Sequence, residues 1–384
     1  MNFELSQEQL MFRNMARQFA QREFLPVLKN GEREEEINHR ELIKKMAVMG
    51  LAGFNLPQEY GGLGLDYITW GIIWEELSRC SWSMASTCNS SILAGTIIMN
   101  AGTEEQKRKY LPAICRGEKI FAMAAVEPNA GSDAANIQTT ALRSGDCWFV
   151  NGNKIFISNG GIADTVLVLV QTDKSKGPRG LTILAVDRGT PGFSSVDMRG
   201  KLGYRVANLA QLRFTDCAVP ETNLIGEVGK GLANAMGGID NARYSIAIGA
   251  LGMSQGCLEA CINYVKERYQ FNRPLANFQL VQDKIATMAA QIDVMRNYLY
   301  RLGDLKNKGA RHAKETSVAK YLASEMAVRI SAKAVELFGA YGCIDDYPVE
   351  HHYRDAVVTT ILGGTTNIHK LIIGRELLDK DATA

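Results

Sequence analysis

Between Lys119 and Val219 the chain drops the helical spacing that governs it on both sides, and this interruption limits the folds open to it. Runs such as Cys147–Val150, Lys154–Ile157, Thr165–Thr172 and Leu181–Val186 are rich in Val, Ile, Thr and Phe. Ser144-Gly145, Asn151-Gly152, Asn159-Gly160-Gly161 and Thr190-Pro191-Gly192 divide them at short intervals. Such runs between turn formers predict a small antiparallel β domain. Before it, Leu5, Leu10, Met11, Met15, Phe19 and Phe24 recur at helical spacing over residues 5–29, with Ser6 as a cap. Further helices are expected over 39–49, 67–80, 84–101 and 104–116, with a loop at Pro57–Gly64. Gly226–Gly231 fails the phosphate-loop pattern, because its spacing is short and no Ser or Thr follows Lys230, so it reads as a turn into a helix. Helices then follow at 232–269, 275–305, 313–338 and 349–379, a four-helix bundle with short connections. The expected class is α+β: an N-terminal helical domain (1–118), a central antiparallel β domain (119–229) and a C-terminal four-helix bundle (230–384).

A net charge of +2 without a dense basic run gives no reason to expect nucleic acid. No apolar run approaches a membrane span, and the N-terminus lacks the basic and apolar regions of a signal peptide, so a cytoplasmic location is expected. The eight cysteines are scattered; Cys257 and Cys261, at i,i+4, have no further ligand near them in sequence and read as buried free thiols. His351 and His352, adjacent on a helix, are expected to point apart. No metal is expected.

Chemistry is concentrated near the end of the chain. In Arg354–Ile368, Gly363 and Gly364 stand between an apolar run and Thr365-Thr366, with an amphipathic helix after them. Adjacent glycines let backbone approach a ligand closely, although a helix C-cap followed by an N-cap would look the same. Two further stretches decide between these: Phe121–Asp133 (FAMAAVEPNAGSD) and Arg268–Gln279 (RYQFNRPLANFQ). With Arg354-Asp355 and Gly364-Thr365, their order and spacing over almost the whole chain resemble the acyl-CoA dehydrogenase family of flavoproteins.

The resemblance implies bound FAD, held by Met123, Ala125, Val126, Ser132, Phe156, Ser158, Gly339, Thr365 and Asn367. Arg268, Phe271, Gln279 and Glu336 would reach the FAD of a neighbouring subunit in a homotetramer. Ser132, Asp240, Arg243 and Gly364 would lie along an acyl-CoA or acyl-carrier-protein substrate, and an electron-transferring flavoprotein is the implied acceptor. Several positions depart from the family pattern. Val126 replaces a hydroxyl residue, Asn272 a glycine and Glu336 a glutamine; a carboxylate near phosphate is unfavourable unless a cation intervenes.

The largest departure is Gly363, where the family usually has the glutamate that removes the α-proton. The alternative base position, just before Arg243, is Ala242. Gly363 keeps the backbone N–H that would hold the thioester oxygen but cannot take a proton. The first expectation is dehydrogenation of an unusual acyl thioester, cyclic or bulky, with Asp240 as substitute base. Alternatives are an enoyl-thioester reductase, a desulfinase-like non-oxidative elimination enzyme, and a non-catalytic subunit of a heteromeric dehydrogenase. The family's crotonobetainyl-CoA reductase also has glycine at this place, but it has a glutamate where this chain has Ala242.

Overall fold

Ser6 starts the first helix with a capping box, its hydroxyl accepting from Gln9 N–H while the Gln9 amide oxygen accepts from Ser6 N–H. The protein is described by a computed structural model over residues 4–378. The helix expected over 5–29 is three segments: α1 (Gln7–Phe19), a π turn (Ala20–Phe24) and α2 (Leu25–Glu34). After α3 (His39–Val48), Asp66 caps α4 (Tyr67–Ala85), which breaks at Ser81, and α5 (Asn89–Ala101) and α6 (Glu104–Cys115) complete the layer. Trp70, Trp74 and Trp82 are fully buried and anchor the helical layer.

The middle region is an eight-stranded sheet. Its strands are β1 (Phe121–Ala124), β2 (Thr140–Ser144), β3 (Cys147–Ser158), β4 (Thr165–Gln171), β5 (Leu181–Asp187), β6 (Phe193–Asp197), β7 (Leu209–Pro220) and β8 (Leu224–Ile225). The spatial order is β6-β7-β3-β2-β4-β5-β8, with β1 beside β4. Most pairs are antiparallel, as expected, but β1–β4 and the single β2–β4 contact are parallel, so the sheet is mixed. The reason is connectivity: β1 enters from α6 and reaches β4 by a crossover that includes β2 and β3, not by a hairpin. The β3–β7 ladder slips between Val150 and Gly152 and again between Lys154 and Ile157. The second slip re-aims Phe156.

The chain then enters the helix α7 (Gly231–Glu267), with the ribbon β9 (Tyr269–Gln270) and β10 (Arg273–Pro274) at its end. The ribbon turns on Phe271 and Asn272, both left-handed (φ 51° and 60°), a turn in which asparagine replaces glycine at little strain. α8 (Gln279–Asn307) and α9 (Ala313–Phe338) follow. The expected fourth helix is two, α10 (Val349–Thr359) and α11 (Thr366–Leu378), because Gly363 and Gly364 take φ values of 69° and 101° that no helix accommodates. α7 is long and apolar enough to cross a membrane, but 72% of its most apolar window is buried inside the fold. Cys257 and Cys261 are buried free thiols, whereas Cys343 is exposed. His351 and His352 do not point apart: both are buried, their rings 4.2 Å from centre to centre.

Candidate active site

Phe156 is half-exposed, 54%, and left-handed (φ 56°), so the second β3 slip turns a large aromatic side chain out of the sheet at its C-terminal end. Two residues on, the Ser158 carbonyl accepts from Ser90 Oγ at 3.0 Å, tying the strand end to α5. The Tyr204 hydroxyl interacts with both Ser158 and Ser86, and Tyr204 N–H donates to Asp355 Oδ1 at 2.6 Å on α10. Strand end, helical layer and the helix leading to Gly363 are thereby fixed to one another.

Ile155 N–H donates to the Val126 carbonyl (3.0 Å), setting Met123, Ala125 and Val126 beside the same strand. Beneath them lies a pair that the sequence reading missed. Lys154, fully buried, donates to Glu127 Oε1 (2.9 Å) and to the Ala125 carbonyl (3.1 Å). The Glu127 carboxylate also accepts from Gln138 N–H (2.6 Å) and Thr139 N–H (2.9 Å). Burial pushes the Glu127 carboxyl up, but Lys154 and the two amides outweigh it and hold it low. Burial dominates at Lys154 and lowers its ammonium to about 8 despite Glu127. The pair staples the loop carrying Ser132, which is exposed. A lysine on the inward face that Trp148, Val150 and Ile157 otherwise make apolar was the available signal.

Arg243 on α7 runs along both glycines: a Cβ placed on Gly363 would lie 3.8 Å from Arg243 Cγ, and one on Gly364 would lie 3.9 Å from its terminal nitrogen. Arg243 Nε donates to the Gly363 carbonyl (3.2 Å), and fully buried Lys320 on α9 donates to the Gly364 carbonyl (2.7 Å). His369 lies beneath Gly364, fully buried, with both ring nitrogens lacking a well-formed hydrogen bond. Burial lowers Lys320 to about 7, with Arg243 adding to the effect; burial, Lys320 and Arg243 lower His369 to about 4. No ion pair links either cation to a carboxylate among the described residues. The Gly363 N–H and Gly364 N–H likewise donate to no acceptor there.

Asp240, one turn before Arg243, is engaged elsewhere. Its carboxylate accepts from Lys306 Nζ at 2.6 Å and lies 3.5 Å from His312 Nδ1. The space opened at position 363 is also smaller than the sequence suggests, because the tip of Ile246 stands 2.6 Å from where a Cβ would be. Lys320 and His369 were missed because they read as ordinary members of the α9 and α11 faces, although a lysine among Ala319, Ala323 and Ala327 on a buried stripe was a signal.

Arg268 caps the far end of α7, ~38 Å from Arg243 at the helical rise of ~1.5 Å per residue. It stacks over Tyr341 at 5.5 Å and has no carboxylate partner among the described residues. Phe271 is 86% exposed, Gln279 is exposed, and Gly339 (φ 62°) has open space around its α-carbon. Glu336 pairs with Lys284, whose hydrogen bond holds its carboxyl low. Lys284 thus gives the Glu336 carboxylate a counter-charge. Thr365 Oγ1 accepts from Ile368 N–H at the start of α11, next to exposed Asn367.

Models of the acyl-CoA dehydrogenase N-terminal, middle and C-terminal domains match residues 6–118, 122–217 and 229–378. The chain belongs to the acyl-CoA dehydrogenase family. It is 40% identical to an acyl-CoA dehydrogenase of Bacillus subtilis over 97% of this chain and 99% of that one. It is 38% identical to the caffeyl-CoA reductase-Etf complex subunit CarC of Acetobacterium woodii, over 98% and 99%. The butyryl-CoA dehydrogenase structure from Megasphaera elsdenii superimposes with a TM-score of 0.95 at 36% identity, covering 98% of this chain and all of that one.

The protein is therefore an oxidoreductase of an FAD-dependent family. The half-exposed left-handed Phe156, the free N–H groups at Gly363 and Gly364, and the carboxylate-free Arg268 fit such a cofactor. They offer an aromatic face, N–H donors and a cation, the kinds of group that a flavin and a diphosphate bind.

Proposed function

We infer that the protein moves hydrogen between the α- and β-carbons of an unusual acyl thioester and FAD, in the direction of dehydrogenation. The observation that carries this reading is the frame at Gly363, whose carbonyl accepts from Arg243 and whose N–H donates to no acceptor among the described residues, with no carboxylate at 363 or 242. Bound FAD supplies the hydride acceptor. Met123, Ala125, Val126, Ser132, Phe156, Ser158, Gly339, Thr365 and Asn367 are the residues that would hold it. Arg268, Phe271, Gln279 and Glu336, at the far end of α7, would serve the cofactor of a second copy in a homotetramer.

The Gly363 N–H would hold the thioester oxygen as charge develops on it. Gly364, Ser132 and Arg243 would line the acyl and pantetheine path. Asp240 is the protein group proposed to take the α-proton, and it would have to do so while paired with Lys306. Ile246 leaves little extra volume at 363, so polarity more than bulk sets this acyl group apart. The carrier is coenzyme A or an acyl carrier protein, the electron partner an electron-transferring flavoprotein, and the location the cytoplasm.

A second reading is reduction of an enoyl thioester. The CarC similarity and the predominance of cations over carboxylates around Gly363 favour it, since reduction requires a proton to be delivered to the α-carbon, not removed. Anaerobic mixing of the FAD-loaded protein with linear, branched, cyclic and carboxylated saturated acyl-CoAs tests the first reading. Bleaching of the oxidised flavin band by one class supports it. A band that only enoyl thioesters reoxidise after chemical reduction moves the assignment to the second.

A further inference from the structure

Fully buried Lys320 and half-buried Arg243 form a cationic pair whose hydrogen bonds among the described residues go to carbonyl oxygens, those of Gly364 and Gly363. Removing charges from water without a counter-charge is costly, and neighbouring cations add repulsion. The nearest carboxylate along α7, Asp240, favours the Arg243 charge from a distance but pairs directly with Lys306, itself buried. Next to the pair, the buried His369 ring faces the Gly363 and Gly364 backbone without a well-formed hydrogen bond, and Thr366 has a buried hydroxyl with no partner among the described residues. The terminal nitrogens of Arg243 donate to no protein group among the described residues, and the guanidinium lies along the two glycines whose N–H groups are also free. Cations, unpaired donors and an absent carboxylate converge on one spot.

We propose that the acyl group carries its own anionic oxygen substituent, a carboxylate, received by the terminal nitrogens of Arg243 beside Gly363 and Gly364. The substrate class is thus the monothioester of a dicarboxylic acid. This rests on the acyl-thioester reading above and adds the acyl group's charge to it. A planar fork with two free nitrogens suits a two-oxygen anion, with Lys320 and His369 supporting the field from behind the glycine carbonyls. Gly363 itself fits: a carboxylate side chain there would emerge beside Arg243 and fill the charge requirement from the protein.

The test uses FAD-loaded protein and matched coenzyme A thioesters, each short dicarboxylic monothioester (succinyl, glutaryl, adipyl) against its ω-methyl ester. Binding is read by calorimetry and by perturbation of the flavin spectrum, in wild type, Arg243→Gln, Gly363→Glu and Gly363→Gln. One charge-assisted contact is expected to favour a free carboxylate over its ester by about ten-fold or more. That preference should vanish in Arg243→Gln. It should fall or reverse in Gly363→Glu but persist in Gly363→Gln, which has the same size and backbone strain without the charge. If ester and acid of every length bind alike in wild type, or the preference survives Arg243→Gln, the proposal is overturned while the acyl-thioester reading stands. Inorganic phosphate competing as well as the best dicarboxylic thioester would also overturn it, making the site a free-anion site. If no thioester binds at all, both fall together.

Discussion

Lys154→Met removes the cation beneath the loop over the candidate flavin site and leaves Glu127, 6% exposed, with two backbone N–H donors and no counter-charge. Breaking a buried pair from one side typically costs about 3–5 kcal/mol. The two amide hydrogen bonds survive, so the lower end, ~3 kcal/mol, is expected here. Lys154→Met with Glu127→Gln removes the stranded charge and keeps an acceptor for the amides, so over half of the loss should return. Urea unfolding of wild type, single and double variants measures this, with FAD retention followed in parallel. A cost below ~1 kcal/mol for the single variant, or a double variant no more stable than the single, would refute the reasoning that this pair holds the loop.

Other expectations concern the same frame. Burial and then Glu32 push the buried Asp355 carboxyl up to about 7, so the folded state binds its proton more tightly than the unfolded chain does. The associated stability is complete below about pH 4 and is lost as pH rises toward 7; Asp355→Asn, which keeps an acceptor for Tyr204 N–H, should flatten that fall in a pH series of denaturation curves. Asp240→Asn strands buried Lys306 and should lower stability by about 3 kcal/mol. If Asp240 takes the α-proton, the same variant slows anaerobic flavin bleaching by ~10²-fold or more, and a near-normal rate takes that role from it. Lys284→Ala exposes Glu336 to the proposed diphosphate and should weaken FAD retention several-fold, with recovery in Lys284→Ala/Glu336→Gln; equal retention in both would remove Glu336 from that contact.

The order helical, β, helical was legible because hydrophobic period changes at Lys119 and again at Gly231, and period is what sequence reports best. The parallel strand β1 was not, since pairing direction depends on a crossover of distant segments. The break between α10 and α11 could have been read from Gly363-Gly364, but the apolar residues on both sides keep helical spacing through it. At the site, the absence of a carboxylate at 363 and 242 is legible in sequence, but what surrounds the two glycines is not. Lys320, His369 and Ile246 come from α9, α11 and a buried turn of α7, and only packing brings them onto the two glycines.

The most direct test of the account is α-proton exchange. FAD-loaded wild type and Gly363→Glu are incubated anaerobically in D2O with the saturated thioester that binds best, and deuterium at the α-carbon is followed by mass spectrometry. The account predicts that wild type, which offers an oxyanion donor but no carboxylate at 363, exchanges ~10²- to 10⁴-fold more slowly than the glutamate variant. Exchange by wild type at the variant's rate, with both proteins folded and flavin-loaded, would contradict it and place a strong base elsewhere in the site.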